Sequence, residues 1–148
     1  MRGRQVWRGV VVAVYVVGLA IGTVTHLTDL FVHGVRSHAV FAPYWLDVYW
    51  TSLTLFDPLA LALVVLGAVR GRSTAGVWLV CAVMVTDLAA NAYAVYVLLH
   101  SGVQDSPGLQ RLLAFGLFVA VTAPWLAKES QRHISGGTVR EPARSLRP

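Results

Sequence analysis

Apolar residues fall into four long stretches along the chain, divided by short polar intervals rather than alternating with polar positions. A helix needs about 20 consecutive apolar residues to cross the hydrocarbon core of a bilayer. Four segments meet that length: roughly 6–30, 43–69, 74–99 and 107–128. Asp57 interrupts the second and Asp87 the third. Ser106 followed by Pro107 is a helix-start signal, an N-cap residue with proline at the first helical position. The pattern predicts an all-α fold, a polytopic four-helix transmembrane bundle over residues 1–129. Residues 130–148, polar, Arg-rich and broken by Gly and Pro, are expected to form a disordered basic tail.

The charges give the bundle a direction. Ten Lys and Arg residues (Arg2, Arg4, Arg8, Arg70, Arg72, Lys128, Arg132, Arg140, Arg144 and Arg147) fall on one side of a four-span arrangement, and only Arg36 and Arg111 on the other. The positive-inside bias then places both ends in the cytoplasm, in a multi-pass protein of the cell (inner) membrane. Tyr44, Trp45, Tyr49 and Trp50 form an aromatic belt at the outer interface, and Trp7 and Trp125 mark the inner one. Arg2–Arg8 ahead of an apolar run resembles a secretory signal peptide. The uncharged run is longer than the usual core of about 7–15 residues, so the first helix is expected to stay.

Composition narrows the function. Only 13% of the residues are charged, against about a quarter in soluble domains. The net charge of +5 is explained by helix flanks and tail, so nucleic acid is not an expected partner. Membrane lipids are, together with a homo- or hetero-oligomer through the helices. Cys81 is the single cysteine and lies within an apolar run, which excludes a disulfide or a thiol redox pair. Eleven Arg against one Lys, with abundant Val and Ala, suggest high-GC bacterial coding. His33, Arg36 and His38 in the outer loop, with Asp29 or Asp105, match no metal-ligand spacing; neither metal nor cofactor is implied.

Ionisable residues inside a membrane helix cost about 2.5–3.5 kcal/mol at the bilayer centre and usually face a partner or cavity. Asp57 and Asp87 lie thirteen and fifteen residues from Arg70 and Arg72, about 20–22 Å above the inner flank at 1.5 Å per residue. His26 and Asp29 reach a similar depth from the first helix. Helical phase puts Trp50, Thr54 and Asp57 on one face, and Asp87 and Asn91 on another. Gly18, Gly22, Thr25 and Asp29 line up on the first helix, with His26 beside them. Gly18 and Gly22 form a small-residue stripe leading to this cluster. His100, nine residues beyond Asn91, falls on the opposite face. Pro58 removes a backbone donor and kinks the second helix. The competing reading is packing glue, in which each Asp hydrogen-bonds a neighbouring helix to fix the arrangement.

Three stretches resemble the EXPERA superfamily, which includes emopamil-binding sterol isomerases and sigma-2 receptor type proteins. His26-Leu27-Thr28-Asp29 is similar to that family's His followed by an acid. Trp50-Thr51-Ser52-Leu53-Thr54-Leu55-Phe56-Asp57 is similar to its Trp with an acid two turns on, and Thr86-Asp87 to Tyr96 to its polar, Tyr-rich third helix. The resemblance covers about residues 25–96. It implies a four-helix bundle whose cavity meets a sterol-like or cationic amphiphilic ligand, with His26, Asp29, Asp57 and Trp50 at matching positions. The acids here are Asp where the isomerases have Glu, the first-helix spacing is one residue shorter, and there is no fifth helix.

The leading expectation is a binding module for a lipid, isoprenoid or cationic amphiphile, with Asp57, Asp87, Asn91, His26, Asp29, Trp50 and Tyr49 as ligand contacts and Phe56 lining the apolar part. The alternatives are a membrane isomerase using His26, Asp29 and Asp57 on an alkene, and a structural or accessory subunit. Proton translocation through the two Asp residues meets an almost wholly apolar inner half.

Overall fold

A computed structural model describes residues 2–70 and 74–136. Four helices carry the chain: α1 (Arg2–His33), α2 (Tyr44–Arg70), α3 (Ala75–Tyr93) and α4 (Pro107–Gly136). A π-helical turn (Ala94–Leu98) continues α3, and a 3-10 turn (Val103–Asp105) precedes α4. All four spans are long and apolar enough to cross a membrane. They form an all-helical bundle of the kind a multi-pass membrane protein requires. Arg72 and the tail beyond Gly136 lie outside the described residues. The last helix runs past Lys128 to Gly136, so the chain stays helical through the first part of the segment expected to be disordered.

The surface fits a lipid solvent. Val17, Ile21 and Val24 on α1, Leu55 and Val69 on α2, Val85 on α3, and Leu117 and Val121 on α4 are all exposed. Water would penalise such a surface by about 25 cal/mol per Å²; hydrocarbon does not. The helical backbone pairs its polar groups within each span, the condition for crossing a bilayer, save where Pro58 of α2 and Pro124 of α4 remove a donor.

Neighbours in sequence pack side by side, α1 on α2, α2 on α3 and α3 on α4, whereas α1 and α4 touch sparsely. Gly76 lets α3 close on α2, because a Cβ there would meet the backbone of Leu63 and Val64 at 2.7–2.9 Å. The α1–α4 seam is closed only toward the end that carries the chain termini. There Tyr15, fully buried, sets its hydroxyl 3.1 Å from Thr122 Oγ1 and 3.3 Å from the Val119 carbonyl. Its ring meets Phe115 and Phe118 edge-on. Toward the opposite end, where the loops 34–43 and 99–106 lie, the seam opens.

The loop 34–43 is tied down by Asp47 in the first turn of α2. Asp47 is 1% exposed, and its carboxylate accepts the His38 backbone N–H at 3.0 Å. Arg36 Nε stands 3.8 Å from the same carboxylate and His38 Nδ1 3.8 Å. The His38 ring packs on Trp50 at 4.7 Å, with Phe41 beside both. Gly34, at φ +79°, ends α1 in the left-handed conformation that glycine adopts without strain.

Candidate functional site

The open part of the α1–α4 seam leads into a cavity of about 390 Å³. Gly18, Leu19, Ile21, Gly22, Thr25 and His26 form its α1 wall, and Gly108, Arg111, Leu112 and Phe115 its α4 wall. Asp57 of α2 and Met84, Asp87 and Asn91 of α3 form the back. The volume falls within the range of small-molecule sites, about 300–1,000 Å³.

Each polar side chain is placed by an identifiable cause. The Asp57 carboxylate lies directly against Gly22, where any Cβ would collide with Oδ2. The phenyl ring of Phe115 lies in the same way over Gly18. The glycine stripe thus admits a carboxylate and a ring, rather than a helix backbone. Asn91, one turn after Asp87, donates Nδ2 to the Asp87 carboxylate at 2.8 Å and to the Asp87 carbonyl at 2.9 Å. This local bond holds the Asp87 side chain toward the cavity. His26 Nε2 stands 3.8 Å from Asp57 Oδ2.

Asp57 and Asp87 are 5% and 7% exposed, and they lie close enough for their charges to interact. The Asp57 carboxylate accepts no hydrogen bond from any described residue. A buried carboxylate in that condition carries a desolvation cost that packing leaves uncompensated. Arg111 lies at the cavity mouth, exposed, and no ion pair ties it to a described residue.

Comparison with family models, with curated proteins and with solved structures returns no match for this chain.

Of the residues singled out in the sequence, Asp57, Asp87, Asn91 and His26 come together, and Thr25 joins them. Asp29 and Trp50 do not reach this cavity. They line a separate crevice of about 10 Å³, with Ser37, His38 and Thr54, under the 34–43 loop. His26 borders both spaces. Asp29 stands 3.8 Å from His33 instead. Tyr49 turns toward α3, where its hydroxyl donates to Thr86 Oγ1 at 2.9 Å, and Phe56 is half exposed on the outside. The apolar lining comes from Leu19, Ile21, Met84, Leu112 and Phe115. His100, in the left-handed conformation at φ +48°, is exposed after the π turn. Among the described residues no three His, Cys, Asp or Glu side chains converge as metal ligands would.

Three residues with clear roles gave little signal in the sequence. Arg111 carried one: a cation four residues inside a membrane helix is an intramembrane ionisable residue as much as a topology marker. Asp47 carried another, as an acid in the first turn of a helix, where the dipole favours it. Tyr15 carried none beyond being a hydroxyl within an apolar run.

Proposed function

We propose that this chain is a multi-pass protein of the cell membrane, with both ends cytoplasmic, whose seam cavity binds a lipid, isoprenoid or cationic amphiphile. The ligand enters sideways from the leaflet between α1 and α4. Its polar or positive end meets Asp57 and Asp87, and its apolar part lies along Leu112, Phe115 and Met84. One observation carries this reading: Asp57 is buried, stands at the cavity wall, and accepts no hydrogen bond from a described residue. A carboxylate serving as packing glue would have found one, as Asp47 does. The EXPERA resemblance points the same way, toward an intramembrane cavity with acids for an amphiphile.

The test compares thermal stability of the purified wild type and Asp57→Asn across sterols, isoprenoids, phospholipids and cationic amphiphiles. A ligand that stabilises the wild type and not the variant is the expected result. A flat panel with both proteins would sink the reading and favour an accessory subunit.

A second reading, alkene isomerisation, has one observation in its favour: the His26–Asp57 pair at 3.8 Å could pass a proton at the cavity wall. Product analysis with isoprenoid and sterol-like alkenes tests it, and absence of turnover by purified protein counts against it.

A further inference from the structure

Resting on the amphiphile reading above, we infer that the preferred ligand is an aminophospholipid held by its headgroup, with the primary ammonium at Asp57, Asp87 and Asn91 and the phosphate at Arg111. The inference comes from what the cavity lacks at each of its two ends. At the back stand two carboxylates, and among the described residues the imidazole of His26, 3.8 Å from Asp57, is the basic group beside them. At the mouth stands a guanidinium that no described residue pairs with. A ligand with a cation at one end and an anion at the other satisfies both, and a simple cation or a simple anion satisfies one.

The acceptors at the back favour a cation that donates hydrogen bonds. Asn91 uses Nδ2 as donor to Asp87, which leaves its Oδ1 as an acceptor. Asp57, Asp87 and Asn91 therefore offer acceptor oxygens from three side chains, enough to take up the three N–H donors of a primary ammonium. A quaternary ammonium donates nothing and is held by aromatic cages; Phe115 is the one aromatic ring on this cavity. Ethanolamine fits where choline does not.

Arginine is suited to the phosphate because its planar fork binds two oxygens at once. The placement agrees. Phe115 lies over Gly18, so in the antiparallel α1–α4 pair Arg111 comes level with Gly22, against which Asp57 rests. Arg111 and Asp57 thus line one cavity at one level of the bundle. The first carbons of the acyl chains lie along Leu112 and Phe115, and the rest runs out over the exposed apolar flanks of the opening, Ile21 and Val24 on α1 and Leu113 and Leu117 on α4.

The experiment adds chain-matched phosphatidylethanolamine, phosphatidylcholine and phosphatidylglycerol, and separately dodecylamine, to the full-length protein in detergent. Retained lipid is counted by native mass spectrometry. Phosphatidylethanolamine should be retained over the other two phospholipids by about tenfold, the worth of one charge-assisted hydrogen bond. Arg111→Gln should lower retention of all three phospholipids, phosphatidylethanolamine included, while dodecylamine binds as before; Arg111 is exposed, so this variant folds. The double variant Asp57→Asn, Asp87→Asn should lose both ligands. Equal retention of phosphatidylethanolamine and phosphatidylcholine by the wild type, or undiminished phospholipid retention by Arg111→Gln, overturns the headgroup assignment. If dodecylamine still binds through the carboxylates in that case, the amphiphile cavity stands without it. If neither dodecylamine nor any phospholipid is retained, both readings fall.

Discussion

The cap over the loop end and the cavity beneath it each bury one aspartate of α2, ten residues apart. In the cap, Asp47 accepts a backbone N–H and has a guanidinium and an imidazole within 3.8 Å. In the cavity, Asp57 is almost as buried but is left with a loosely placed imidazole and empty space. The same side chain therefore serves opposite ends. Asp47 contributes stability by satisfying the chain around it, whereas the described residues leave the bonds of Asp57 unmade. Intramembrane acids are best sorted by whether the protein itself completes their bonds.

Stability measurements sharpen that contrast. Asp47→Ala removes a charge-assisted bond and frees the 34–43 loop, and it should destabilise the protein by about 3 kcal/mol. Asp57→Asn should cost nothing measurable, or stabilise, because a buried charge without a donor is removed. Unfolding of the two variants in detergent checks both, and equal losses would erase the distinction. Next in size is Gly22→Ala, whose new methyl group collides with the Asp57 carboxylate. The carboxylate end borders the cavity and can swing into it, so the loss should fall at the low end of the roughly 1–3 kcal/mol that core overpacking costs. Combining it with Asp57→Ala should restore much of that loss, and a purely additive double variant would mean that the two positions do not touch. Smallest is Tyr15→Phe, which removes the hydroxyl contacts closing the α1–α4 seam. Interhelical hydrogen bonds in membranes average about 0.6 kcal/mol, so a loss near that value is expected in the same unfolding assay.

The four spans were legible because a bilayer imposes its own thickness on the sequence, and the helix starts at Tyr44, Ala75 and Pro107 fall within a residue of the expected positions. The meeting of Asp57, Asp87, Asn91 and His26 was legible from depth and helical phase together. What spacing does not encode is the order of helices around the bundle, or which seam stays open. That information places Arg111 and Phe115 on the cavity and turns Tyr49 away from it. The π turn at 94–98 also breaks the 100° phase on which the position of His100 was read. Trp50 and Asp29 were misplaced for a different reason: the fold of the 34–43 loop around Asp47 roofs a second, smaller space over them.

Gly22 has a consequence at the level of genes. Every single-base change that turns a glycine codon into another amino acid adds at least one side-chain carbon. At this position any such carbon meets the carboxylate of Asp57. A screen for alleles that lose the site while keeping both aspartates would therefore converge on an uncharged residue of another helix.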